Sequence, residues 1–406
     1  MSQIFKSAIN YSIGNYSSKL IAILIFPIVV TYLGLENTGK FDLVISTVGI
    51  LRTLFSLHIG DAMYRWFQCK NIQDQQISFS NGLVITLIML FTVNIIYVCL
   101  YVFFPYPIEL LTISFFILIS QIILSVLLQL IRGEGRVTRY TLIGIIKSIV
   151  FTLFSLLVVI YTENKLHNIF LVLIGTNVVC IIVAVCGFNF QYYFKKSYIS
   201  FSNTKKLIKY SIPLILNAFS WIGFFTANKY ILFTNFGLNN NGVFAVAEKL
   251  STGVFFKGMF YYYSLQDYSL SSSNFQKEKS FFIKIIKRTL FILLMVTIII
   301  ILGSWFFIPM FFPDLILSLK FLPWLAFANL FIALAGYMGI PYNYKKETIS
   351  MSLTSFFGLI ISLLLSLLLI SHIGIYGICI SILVGSIFVF IARLKYTLTF
   401  FNKNEI

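Results

Sequence analysis

Runs of about 20 apolar residues, separated by short polar breaks, recur along the whole chain. A helical run of that length crosses a hydrocarbon core about 30 Å thick. Runs and breaks together predict about twelve membrane-spanning helices, near 10–33, 42–66, 80–104, 107–131, 140–161, 168–190, 207–235, 242–265, 285–309, 318–342, 349–370 and 374–397. The breaks carry turn chemistry: GLENTGK, FPYP, RGEGRVTR, GLNNNG and PYNYKKE. The longest, 191–206 and 267–284, leave no room for a soluble domain.

Composition agrees with this pattern. The chain of 406 residues is 59% hydrophobic and 11% charged, far from the roughly 25% charged of a soluble domain. The segment 1–10 carries Lys6 alone as a basic residue, and the apolar run after it is too long for a cleaved signal, so the first span is expected to be retained. The five cysteines show no paired metal spacing, and four lie inside apolar runs as small core residues.

Basic residues set the orientation. With the N-terminus in the cytoplasm, 22 of the 30 Lys and Arg fall on the cytoplasmic side, three outside (Lys40, Lys165, Lys320) and five within spans. The cytoplasmic set includes Lys147 and Arg393 as well as the lysines of 191–209. This is the positive-inside asymmetry, with both termini cytoplasmic. The net charge of +17 is mostly this bias and not a nucleic-acid footprint.

One turn is written twice. TYLGLENTGKF begins at Thr31 and TNFGLNNNGVF at Thr234, sharing Thr, Gly, Leu, Asn, Gly and Phe in register at an offset of 203 residues. Both copies fall on the outer side, six spans apart, and an even number of spans restores the same orientation. The expectation is an all-α polytopic membrane protein, about twelve transmembrane helices in two six-helix bundles related by a parallel pseudo-twofold repeat. The bundles are 1–190 and 207–406, with 191–206 as a basic cytoplasmic connector. The glycines of the turn suit positive φ.

The order of motifs also resembles a family. Pro27 precedes YLGLENTGKF; GDAMYRWF (Gly60–Phe67) closes the second span; LLQLIRGEGRVTRYTLIGII covers Leu127–Ile146. YSIPLILNAFSWIGFFTANKYILFTNFGLNNNGVFAVAEKL runs from Tyr210 to Leu250, and GIYGICISIL from Gly374 to Leu383. Together these resemble the Wzx-type O-antigen repeat-unit flippases, the polysaccharide-biosynthesis branch of the multidrug/oligosaccharidyl-lipid/polysaccharide (MOP) exporter superfamily. The resemblance implies two six-helix bundles around a central cavity in a bacterial inner membrane. It implies alternating-access movement of an undecaprenyl-pyrophosphate-linked oligosaccharide to the outer leaflet. Many relatives place an acid before a base in the seventh span, where this chain has Asn228–Lys229.

Ionisable groups within spans cost at least about 2.5–3.5 kcal/mol each at mid-depth and face protein or a wet cavity. The cations are Lys19, Arg52, Lys229, Lys249 and Lys257; the acids are Asp42, Asp61 and Glu248. The positive excess suits an anionic lipid pyrophosphate, with Arg as a planar fork and Lys as a mobile point charge. Lys19 continues a helical stripe with Ser12 and Asn15 and is expected to face the cavity. Lys249 and Lys257 share a broad face of the eighth span, beside Glu248; the alternatives are snorkelling for Lys249 and a structural pair for Lys257. Asn217, Ser220, Phe224 and Asn228 form a stripe on the seventh span, either lining the cavity or bonding a neighbouring helix. On one ideal helix Asp61 points opposite Arg52, whereas His58, Asp61 and Arg65 share a face. Either that face or Arg52 meets the cavity, and an Asp61–Arg65 pair closing the cytoplasmic end is a structural use of the same residues.

The implied partners are the lipid-linked oligosaccharide, the lipid bilayer, and a polysaccharide polymerase with its chain-length regulator. No cofactor, metal or nucleic acid is expected. A multidrug cation antiporter of the same superfamily would prefer acids in its cavity. A polytopic polymerase, ligase or glycosyltransferase would show a long outer loop with catalytic residues, and no HExxH, P-loop or Ser/His constellation occurs here.

Overall fold

A computed structural model of the chain describes residues 25–68, 71–103, 108–258, 262–271, 275–345 and 347–402. Every regular element among them is helical. The spans are α1 (25–33), α2 (Leu35–Phe55), α3 (Ile59–Phe67), α4 (Ile72–Phe103), α5 (Ile108–Gly133), α6 (Val137–Tyr161) and α7 (Lys165–Val185). After the short α8 (Phe190–Tyr193) comes α9 (Phe201–Gly258), followed by α10 (Tyr262–Ser271), α11 (Lys279–Phe311) and α12 (Ile316–Leu319). The chain closes with α13 (Leu322–Met338), α14 (Ile340–Lys345), α15 (Thr348–Ile373) and α16 (Ile375–Asn402). Nine of the described helices are long and apolar enough to cross a membrane, or ten if α2 and α3 form one bent span. The 58-residue α9 divides at Gly237, where φ is 76° and ψ −177°, and so supplies the seventh and eighth spans as two arms. The first predicted span is described only from Ile25. The protein is therefore an all-α polytopic membrane protein.

Two expectations change locally. The predicted second span is not one helix: α2 and α3 meet at 55°. Between them Leu57 and His58 both have positive φ, 46° and 47°, a conformation uncommon for residues other than glycine. The turns GLENTGK and GLNNNG are also tighter than a loop, because helix resumes directly after Gly34 and Gly237.

The described residues form two compact units, Val44–Phe219 and a second made of 25–43 with 220–406. In the first, Ile59, Ala62, Met63 and Phe67 of α3 are buried against α4 and α5. The chain after α7 is fastened here, not loosely linked. Buried Asn81 donates to Ile77 O (2.7 Å) and Tyr198 O (2.9 Å) and accepts from Ser200 N (3.0 Å) and Thr204 Oγ1 (3.1 Å). Ser80 Oγ accepts from Lys195 N, and Gln76 Nε2 donates to Tyr192 O. At the α5–α6 turn, burial raises the Glu134 carboxyl above its ordinary range against the opposing pull of Tyr193, Arg136 and Arg139.

In the second unit, α15 and α16 approach through small residues. A Cβ on Gly385 would lie 2.8 Å from Gly358 O, and buried serines line both helices. Such surfaces let membrane helices close without an aqueous hydrophobic drive. Arg393, counted above with the cytoplasmic cations, is buried on α16. It donates to Thr354 Oγ1 (3.0 Å), Ala335 O (3.0 Å), Met351 O (3.2 Å) and Ser355 Oγ (2.6 Å), joining α13, α15 and α16.

The two copies of the repeated turn lie together in this unit. Gly34 and Gly237 have φ of 82° and 76°. Two side-chain bonds recur at the same offset. Thr31 and Thr234 donate to Pro27 O and Tyr230 O, both at 3.0 Å. Asn37 and Asn240 donate to Leu33 O (3.2 Å) and Phe236 O (2.9 Å). A Cβ built on Gly39 would collide with Leu238 O, and one on Gly242 with Leu35 O. Each contact is the image of the other under the 203-residue shift, which is how a twofold interface behaves.

Candidate functional site

Three charged residues from distant parts of the sequence meet inside the second unit. Lys229 Nζ lies 2.9 Å from Asp42 Oδ2 and 2.6 Å from Glu248 Oε2. Its side chain is 4% exposed, against 23% for Asp42 and 16% for Glu248. The α2 N-terminal turns supply Asp42, and the two arms of α9 supply Lys229 and Glu248. Burying a lysine among apolar helices is tolerable only when its charge is matched, and here two carboxylates share it. Lys229 is thus held inside this unit by two carboxylates.

Asn228 bonds a neighbouring helix, the second of the two uses open to its stripe. It is fully buried, donating to Phe224 O (2.6 Å) and Ser362 Oγ (3.2 Å) and accepting from Ser366 on α15. With Ser220 and Phe224 also buried, that end of the stripe holds α9 to α15. Asn217 is half-buried in the other unit. Lys249 is exposed, with its ammonium 5.8 Å from the Phe26 ring centroid. Lys257 sits in the last turn of α9, and its side chain, like Lys19 and Asn15, falls outside the described residues.

In the unit Val44–Phe219 the bend between α2 and α3 rearranges the second-span charges. His58 Nδ1 lies 2.7 Å from Asp61 Oδ2, and Gln129 Nε2 of α5 donates to Asp61 Oδ1 at 2.8 Å. Asp61 is thus oriented by the bend residue and by α5, and it is close enough to Arg52 to attract it. A straight helix would have placed the two on opposite sides. Arg65 and Asp61 both act on Tyr210 at the start of α9. Lys147, counted above with the cytoplasmic cations, lies within a spanning helix. It stands ten residues into α6, about 15 Å along the helix. Like Arg52, it is half-buried. Its signal was present in the apolar residues flanking it on both sides, TLIGII before and SIVFTLF after. Among the described residues no group of three His, Cys, Asp or Glu could hold a metal ion.

The profile of the family described as polysaccharide biosynthesis protein matches residues 4–255, more than half of the chain. The chain belongs to that family. Among curated protein sequences, none matches this chain. Solved structures extend the likeness over the full length. An inward-facing multidrug resistance MATE family transporter of the MOP superfamily is 15% identical with a TM-score of 0.71, covering 96% of each chain. An outward-facing one is 16% identical with a TM-score of 0.70, covering 98% of this chain and 95% of that one. A MATE structure in the straight conformation is 19% identical, TM-score 0.71, covering 98% and 96%. The nearly equal scores for inward- and outward-facing forms make this a likeness of fold and not of one state. Within the polysaccharide biosynthesis family, then, this member has the MATE fold.

Proposed function

We propose that the protein translocates an undecaprenyl-pyrophosphate-linked oligosaccharide repeat unit, of O-antigen or capsule type, from the cytoplasmic to the outer leaflet by alternating access. Its place is a bacterial cytoplasmic membrane with both termini inside, where it hands its product to a polysaccharide polymerase and chain-length regulator. Family membership supports the polysaccharide pathway. The observation that carries the anionic passenger is that Arg52 and Lys147 stand as cations within the apolar helices α2 and α6 of one compact unit. A diphosphate cannot cross a low-dielectric layer without counter-charge. Two cations within the spans offer it, and the acid Asp61 is held by His58 and Gln129. Arg52 supplies the fork and Lys147 the mobile charge. Asp61, Arg65 and Asn217 are further candidates in the same unit, and Asn15, Lys19, Lys249 and Lys257 are candidates in the other.

The experiment is complementation of a flippase-null strain, with membrane abundance measured alongside polymer export. Arg52→Ala and Lys147→Ala should each reduce export, the double variant should abolish it, and Lys147→Arg should retain part. Lys19→Ala is expected to abolish export likewise. Parental export by the double variant at normal abundance would remove the support for an anionic passenger. A second reading, export of small organic cations, is favoured by the structural neighbours, whose descriptions are of multidrug resistance transporters. It predicts drug resistance in a pump-deficient host that survives neutralisation of Arg52 and Lys147.

A further inference from the structure

The chain that leaves α7 and enters α9 carries Lys195, Lys196, Lys205, Lys206 and Lys209, and all of them are exposed. No Asp or Glu occurs between Glu163 and Glu248 to offset them. Beside them stand large apolar side chains that also face outward: Tyr192, Phe194, Ile199 and, at 84% exposed, Phe201. Their neighbours turn inward. The Tyr193 ring packs 5.1 Å from that of Phe67 and 5.2 Å from that of Phe188, and Leu207 is buried. The backbone is pinned to the start of α4. Gln76 Nε2 donates to Tyr192 O and Asn81 Nδ2 to Tyr198 O, each at 2.9 Å, while Ser80 Oγ and Asn81 Oδ1 accept from Lys195 N and Ser200 N.

We propose that this segment is a fixed interfacial shelf that binds anionic phospholipid headgroups of the phosphatidylglycerol class. The proposal needs the protein to lie in a membrane and does not depend on what it transports. A phenylalanine ring as exposed as Phe201 gains nothing in water. At the membrane boundary it enters the acyl layer, while the lysines beside it reach the lipid phosphates. Orientation of the chain in the membrane requires the positive charge alone, and neither the outward rings nor a pinned backbone. Buried Asn81 spends its side chain on holding the segment in place, so the lysines are arrayed before a headgroup arrives and less freedom is lost on binding. Because rings and lysines are all exposed, the surface reads charge and depth and not headgroup shape. Its occupant is therefore the bulk anionic lipid of the leaflet, and not a passenger that has to be told apart from it.

The test uses the full chain in proteoliposomes of phosphatidylcholine and phosphatidylglycerol in equal amounts, and reads lipid capture and not export. Phe201→benzoylphenylalanine supplies a photoreactive ring, and mass spectrometry identifies the lipid joined to it on illumination. Phosphatidylglycerol should outnumber phosphatidylcholine among these adducts by about tenfold. The same label at Phe306, 75% exposed on α11, should capture the two lipids in the proportion of the bilayer. Lys195→Gln, Lys196→Gln, Lys205→Gln and Lys206→Gln together should bring the ratio at Phe201 down to that at Phe306. Removing four exposed cations elsewhere, by Lys277→Gln, Lys284→Gln, Lys287→Gln and Arg288→Gln, should leave it unchanged. If the shelf variant does not accumulate, salt decides on the labelled chain with its lysines intact. Raising ionic strength from about 0.1 to 1 M shortens the screening length from about 10 to 3 Å and should erase the enrichment. Adducts at Phe201 that contain no lipid, or that follow the bilayer proportion at low salt, would overturn the proposal. So would preferred capture of undecaprenyl diphosphate when it is added at the same mole fraction as phosphatidylglycerol, since the shelf would then belong to the passenger.

Discussion

Lys229 and Asp42 come from opposite halves of the sequence, 187 positions apart, and their side chains lie 2.9 Å from each other in the membrane-embedded interior. Glu248 completes the set at 2.6 Å. Removing one member of a buried charge set costs about 3–5 kcal/mol, because the partners stay buried and unmatched. Lys229→Met leaves two acids and is expected to lower the thermal midpoint of the detergent-extracted protein strongly. Asp42→Asn leaves Glu248 on the lysine and should cost less. Triple neutralisation with Lys229→Met, Asp42→Asn and Glu248→Gln should recover much of the loss. Unfolding of Lys229→Met at the parent's temperature would show that the lysine is not held by charge.

Asn81 is the second structural centre. It spends both donors and both acceptor positions on one helix and on the chain entering α9. Asn81→Leu is nearly the same size but removes the bonds to the Tyr198 carbonyl and the Ser200 amide, at about 0.5–1.5 kcal/mol each. Amide exchange at Ser200 should accelerate in that variant while exchange in the middle of α5 stays at the parent's rate. Uniform acceleration across both would instead mean that the whole unit had loosened.

Much of this was legible in the sequence, and the limits have physical causes. Span positions follow from composition averaged over about 20 residues, which tertiary packing cannot hide. The repeated turn was readable because Gly34 and Gly237 need positive φ and the sequence writes that need twice. The break at Leu57–His58 was not, since neither residue favours a left-handed conformation and only its surroundings hold it there. That miss propagated: with a straight helix Arg52 and Asp61 diverge, and with the bend they interact. Asn228 and Lys229 were recognisable as unusual in an apolar span, but a polar stripe reads the same whether it meets water or a serine-lined helix. Arg393 and Lys147 lay within seven residues of the cytoplasmic ends of the predicted spans 374–397 and 140–161, where basic residues ordinarily belong to the interface.

Arg393 therefore carries its own expectation. Its planar fork reaches two backbone carbonyls and two hydroxyls on two neighbouring helices, and its guanidinium lies 5.4 Å from the Trp221 ring centroid. Lysine keeps the charge but cannot reach four acceptors in that plane. Arg393→Lys should therefore destabilise nearly as much as Arg393→Met, each by several kcal/mol, since hydrogen bonds to a charged group contribute about 1.5–3 kcal/mol apiece. Thermal unfolding of the two variants side by side checks it. A lysine variant matching the parent would reduce the role of Arg393 to charge alone.

The last expectation concerns pH and lies outside the spans, at the turn between α5 and α6. Glu134 is 4% exposed at its side chain, and burial raises its carboxyl above the ordinary range. Facing it are Tyr193, Arg136, 3.3 Å away at Nε, and Arg139. Burial likewise raises the Tyr193 hydroxyl, with Glu134 adding to the effect, up to about 12. An acid whose folded pKa lies above its unfolded value binds more protons folded than unfolded between those two values. Stability therefore falls as pH rises through that window, for Glu134 starting from the ordinary carboxylate range and for Tyr193 between about 10 and 12. The contribution of Glu134 is fully present below its unfolded pKa and lost above its folded one. Glu134→Gln cannot ionise, so it should remove that part of the slope: compared with the parent, the variant should gain thermal stability steadily as pH is raised from about 4 to 7. Measured on detergent-extracted protein, a difference between variant and parent that stays flat across that range would show that the carboxyl titrates alike in the folded and unfolded chain. A difference of the opposite slope would mean that Arg136 and Arg139 outweigh burial and hold Glu134 ionised.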